Sequence, residues 1–193
     1  MAAILALVIP FLLLFQTSPV SAIPNVTAIR IGQGDCSAYP NSYFHAGDNA
    51  DAFIFRPDQA DNSSINGLHT RIDGQNLFVY ESSTIDSTIF CCDRGGTILD
   101  GMGVQSLLLS TNLKDSELGY LSQGIKPETY AHEVDGVRLD GVFLGSANVT
   151  TWAFRRAGED YYQVRLLVPG SANAKVGDLL DGEVKGFLKV LPP

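Results

Sequence analysis

The chain is 193 residues long, 45% hydrophobic, and carries 21 acidic against 13 basic side chains for a net charge of −8. A surface this acidic repels phosphate backbones, and no run of lysine or arginine interrupts it, so neither nucleic acid nor an anionic membrane is expected as a partner. The sequence has no glycine-rich phosphate loop between strand and helix and no G-x-S-x-G elbow, which removes nucleotide-dependent enzymes and elbow-type serine hydrolases.

Residues 1–22, MAAILALVIPFLLLFQTSPVSA, open on an apolar run from Ala2 to Phe15 and close on the small residues Val20-Ser21-Ala22. That pattern predicts a secretory signal peptide cleaved after Ala22; the run is shorter than the roughly 20 residues of a spanning helix, and Pro10 breaks it. No later stretch is apolar enough for membrane insertion, so residues 23–193 are expected as a single secreted, extracellular domain. Sequons at Asn25, Asn62 and Asn148 fit a glycoprotein on that route. Asn25, near the new terminus, and Asn62, in a polar stretch, should be better acceptors than Asn148, whose neighbours enter a strand.

Beyond the leader, segments rich in β-branched and aromatic residues alternate with turn residues. In chain order they are Val26–Gly32, Asp51–Pro57, Asn76–Ser82, Ser87–Asp93, Gly103–Thr111, Val137–Gly145, Val149–Arg156, Asp160–Pro169 and Glu183–Leu191. Lys114–Tyr120 and Ala174–Leu180 read as short helical turns, and no long 3.6-residue periodicity occurs. The clearest unit is the hairpin from Val149 to Val168 through Ala157-Gly158-Glu159, with Tyr162, Val164, Leu166 and Val168 facing a core and Tyr161, Gln163 and Arg165 facing water. Five copies of an apolar residue before Asp-Gly suit tight turns, because both positions tolerate positive φ. The fold class is therefore all-β: an antiparallel β-sandwich or barrel. The polar run Arg56–Asn76 is long for a hairpin loop and reads as a surface excursion or a binding loop.

Cys36, Cys91 and Cys92 are the only cysteines. In an oxidising compartment they allow one internal bridge, and adjacent Cys91 and Cys92 would form a strained ring, so Cys36 pairs with one of the two. Counting the pleat back through Ile85, Ser87 and Ile89 places Cys91 on the more apolar face as an inert core thiol, which leaves Cys92 for Cys36. Cys91 is the alternative partner.

Signs of catalysis are mostly negative. His132-Glu133 begins like a zinc-protease motif, but Gly136 stands where the second histidine belongs. His45, Asp48 and Asp51 have a ligand-like spacing in a glycine- and asparagine-containing loop, too few for a closed metal site, so no metal or cofactor is expected. The same loop carries Tyr39, Tyr43 and Phe44, which either plug one end of the core or form a contact surface. The sequence favours a non-catalytic β domain that binds a cell-surface or matrix protein through Tyr39–Asp51. A glycan-binding domain using those aromatics, and a small extracellular hydrolase such as a glycosidase, are the alternatives. Oligomeric state leaves no mark in the sequence.

Overall fold

The computed structural model describes residues 23–32, 34–42, 49–110, 117–169, 171 and 177–193. Tyr43, Phe44, His45 and Asp48, the leader and the first three residues of each expected helical turn lie outside them. The described residues form strands β1 (Thr27–Arg30), β2 (Ala50–Asp58), β3 (His69–Asp73), β4 (Asn76–Tyr80), β5 (Phe90–Asp93), β6 (Thr97–Asp100) and β7 (Leu108–Leu109). They continue with β8 (Leu118–Gly119), β9 (Glu128–Val134), β10 (Val137–Arg138), β11 (Val142–Gly145), β12 (Thr151–Arg156), β13 (Tyr161–Leu166) and β14 (Glu183–Leu191).

All strand pairings are antiparallel. The main path runs β1-β9-β11-β14-β12-β13-β4-β8-β7, with β2 on the other side of β14 and the β5–β6 hairpin continuing from β2. The β12–β13 hairpin forms as expected, with Trp152 opposite Leu166 and Phe154 opposite Val164. A Cβ at Gly158 in its turn would lie 2.2 Å from the Tyr161 ring, so a larger residue there requires that ring to move. Asp135 and Gly136, both at positive φ, close the β9–β10 turn as Asp-Gly should.

One core collects the inward residues of these strands: Trp152, Phe154, Val164, Leu77, Val79, Phe53, Phe55 and Phe90 are all fully or almost fully buried. Trp152 solves its polar-handle problem by donating to the Leu144 carbonyl at 2.9 Å. Burial of each large apolar side chain contributes about 1.5–3 kcal/mol, and the aromatic cluster adds oriented ring contacts, Phe53 lying 4.6 Å from Tyr39 and 5.6 Å from Phe55. A second, smaller cluster forms where His132 stacks on Phe143 at 3.8 Å, with Phe187 edge-on.

Four expectations are corrected. The run Arg56–Asn76 is no loop: it holds the end of β2, a 3₁₀ turn at Ser63–Ile65 whose Ile65 is buried, all of β3 and the first residue of β4. Glu117–Gly119 are extended, with β8 paired to β4 and β7, not helical. The bridge is Cys36–Cys92, but the faces are the reverse of the count. Phe90 and Cys92 are the buried residues, set inward by pairing with Phe53 and Ala50, while Cys91 is half-buried and Ile89 exposed. The strand starts only at Phe90, so alternation does not extend back through Ile85–Ile89. Burial, followed by the charges of Asp100, Asp93 and Asp51, pushes the Cys91 thiol up, away from the reactive thiolate form. Finally, Arg165 is on the outward face of β13 but buried there, against Glu183.

Fully buried His132 sets an acid limit on stability. Its Nε2 lies 2.8 Å from Thr150 Oγ1, its Nδ1 has no partner among the described residues, and burial lowers its pKa to about 4. The folded value lies below the unfolded one near 6.5, so the stabilisation is complete above pH ~6.5 and is lost as pH falls toward about 4, a total of about 3 kcal/mol. The urea midpoint should fall across that window, and by NMR the His132 ring should stay neutral until the pH nears about 4. A flat midpoint would contradict the burial.

Candidate functional site

A cleft of about 130 Å³ opens where the end of β1, the segment after it, the β5–β6 turn and the start of β9 converge. Three tethers build it. The bridge fixes the segment around Cys36 to Cys92. Ile31 donates to the Thr129 carbonyl at 3.0 Å. Gly34 and Gly96 touch, so closely that a Cβ on Gly96 would lie 2.9 Å from the Gly34 carbonyl carbon. Gly96 is at positive φ as well, so the turn demands glycine on two grounds.

The charged groups of the cleft are occupied. Arg30 reaches Glu128 at 2.9 Å and donates from Nε to the Gly32 carbonyl at 3.1 Å. Glu128 also accepts from the Tyr130 hydroxyl and from the Ala147 N–H. Burial first, and then the bond to Glu128, push Tyr130 up to about 12, which keeps it a neutral donor. Asp35 accepts from the Ser37 hydroxyl at 2.6 Å and the Ser37 N–H at 3.0 Å, which together hold its carboxyl below the usual range. Lys126 donates to the Gly95 carbonyl at 3.2 Å. An ammonium has three hydrogens, so two remain for a ligand at the rim. Thr129 Oγ1 is buried without a partner among the described residues, and only the missing Cβ of Gly32 leaves it room, the would-be atom standing 2.4 Å away.

Of the predicted site residues, Tyr39 lines this cleft, but its ring is 4% exposed and stacked on Phe53, so it takes the core-plug role. Burial pushes its hydroxyl pKa up. Asp51 is exposed on β2, its N–H donating to the Asn41 carbonyl at 3.4 Å. Asn25 and Asn62 are exposed; Asn62 caps the 3₁₀ turn by accepting from the Ser64 N–H and hydroxyl. Asn148 is exposed at positive φ in the turn between β11 and β12, while its sequon threonine, Thr150, is buried against His132.

Two groupings escaped the sequence. Ser87 Oγ lies 3.1 Å from His69 Nδ1, yet among the described residues no carboxylate holds the other ring nitrogen. On the outward face, half-buried Phe78 and Tyr161 meet edge-to-face at 5.4 Å, a pair foreshadowed only by the wet-face position of Tyr161 in its strand. Compared with known protein families and with curated protein sequences, the chain matches none of them.

Proposed function

We propose that the chain is a secreted, glycosylated β-sandwich or barrel domain that acts without catalysis, by binding a protein at a cell surface or in the extracellular matrix. The observation that carries this reading is the state of the cleft's ionisable groups. Arg30, Glu128 and Asp35 are all engaged within the protein, by ion pair and hydrogen bond, in shaping the cleft, while Lys126 keeps donors at the rim. Such a site holds a polar group in place and does not transform it. Its neighbour in sequence is the aromatic loop that begins at Tyr39.

The secreted protein, probed on an extracellular-protein array, a glycan array and a hydrolase substrate panel, should capture a protein and turn over nothing. Lys126→Ala should weaken that capture about tenfold, the loss of one charge-assisted hydrogen bond, with the melting temperature unchanged. Turnover on the panel would overturn the proposal. Two alternatives rest on particular contacts. Glycan capture, weakened by Tyr161→Ala, would move the function to the Phe78–Tyr161 pair. Labelling by a fluorophosphonate, abolished by Ser87→Ala, would establish the Ser87–His69 pair as hydrolytic.

A further inference from the structure

Residues 23–26 lie against the sheet across a cavity of about 300 Å³, opposite Thr151, Leu167, Pro169 and Lys185. At the start of this segment the Ile23 nitrogen donates to Asp61 Oδ1 at 2.9 Å. Asp61 is itself held firmly. Its N–H donates to the Lys185 carbonyl at 2.9 Å, and the N–H of Ala60 before it donates to Asn66 Oδ1 at 2.8 Å. Ala60 reaches this position only because Gly186 on β14 has no side chain, a Cβ there falling 2.9 Å from Ala60 Cβ.

We infer that cleavage after Ala22 creates a ligand for a preformed acceptor: the new α-ammonium of Ile23 pairs with Asp61 and locks the amino terminus onto the sheet. The inference rests on the signal-peptide reading. Hydrolysis by a signal peptidase breaks the Ala22–Ile23 C–N bond, puts the hydroxyl of water on the Ala22 carbonyl and its proton on the nitrogen, which takes a second proton from solvent at neutral pH. One N–H donor thereby becomes three, with a full positive charge, at the atom already 2.9 Å from the carboxylate. Among the described residues lining the cavity, Lys185 is the one other charged group, and it opposes the pairing by like charge. The anchored segment also fixes the exposed Asn25 sequon two residues on.

A free α-amino group titrates near 7.7–8.0. Pairing raises its folded pKa, so the stabilisation is complete below that range and is lost as pH rises through the folded value. Secreted protein beginning at Ile23 should melt about 2–4 °C above a version with Gly-Ser placed ahead of Ile23 at pH 6.5, the scale of one partly exposed ion pair in a domain this size. The gap should close by pH ~10 and vanish when both versions carry Asp61→Asn. Should that variant not fold, NMR titration of the ¹³C-methylated α-amine decides instead: a pKa above ~8 supports the pair and one at or below it overturns it. Equal melting of the two versions at pH 6.5 overturns the ion pair and leaves secretion standing. A secreted chain that starts elsewhere than Ile23 overturns the processing step and, with it, the proposal.

Discussion

Glu183→Ala should destabilise the domain by about 3–5 kcal/mol, because it takes the paired carboxylate away from a buried guanidinium. Arg165 donates to both Glu183 oxygens, at 2.9 and 2.5 Å, and to the Asp178 carbonyl at 2.7 Å. The side chains of the pair are 9% and 1% exposed. Burial alone would raise the Glu183 pKa, but the bonds from Arg165 and from the Leu180 N–H outweigh it and hold the carboxyl below its usual range. A depressed carboxylate stabilises above its unfolded pKa and loses that contribution as pH falls through the folded one, so this pair gives way at lower pH than His132. The pair ties β13 to the turn that begins β14. Urea unfolding of Glu183→Ala measures the cost, and a loss under ~1 kcal/mol would show the pair to be solvated. The double change Arg165→Met with Glu183→Leu should recover most of the loss, since a buried ion pair is worth little over apolar groups of similar volume.

What the sequence showed depended on how local the deciding contacts were. The β12–β13 hairpin was legible because its turn and its alternation lie within one short stretch. Strand β9 was not, although it lies between β1 and β11: Thr129, Tyr130, Ala131 and His132 are all buried, so the strand has no wet face to mark its period. The burial of Arg165 depends on Glu183, on another strand, and nothing near Arg165 announces it. The cleft is harder still, since its glycines come from the segments near Gly32 and Gly96 and its cations from Arg30 and Lys126. Each glycine looks like an ordinary turn residue until the close approach of the other chain segment is known.

Replacing Cys36 and Cys92 together by alanine should cost about 4 kcal/mol in the chain-entropy model, for a bridge closing a separation of 56 residues. Both cysteines are buried, at 0% and 2% exposure, so alanine also leaves small gaps in the core cluster they belong to. Cys91→Ser should stay within ~0.5 kcal/mol, because that thiol is half-buried and packs outside the core. Chemical denaturation of the three proteins gives the comparison, and peptide mapping without reduction should find Cys36 joined to Cys92 with Cys91 free. A Cys91 linkage, within or between chains, would contradict the ladder that turns Cys92 inward opposite Ala50. The bridge also holds the Cys36 segment so that Gly34 lies against Gly96, and Lys126 is anchored on the neighbouring Gly95 carbonyl. The double alanine variant, where it remains folded at low temperature, should therefore lose partner capture by more than Lys126→Ala does. Full capture by a bridge-free, folded chain would place the binding surface away from the cleft.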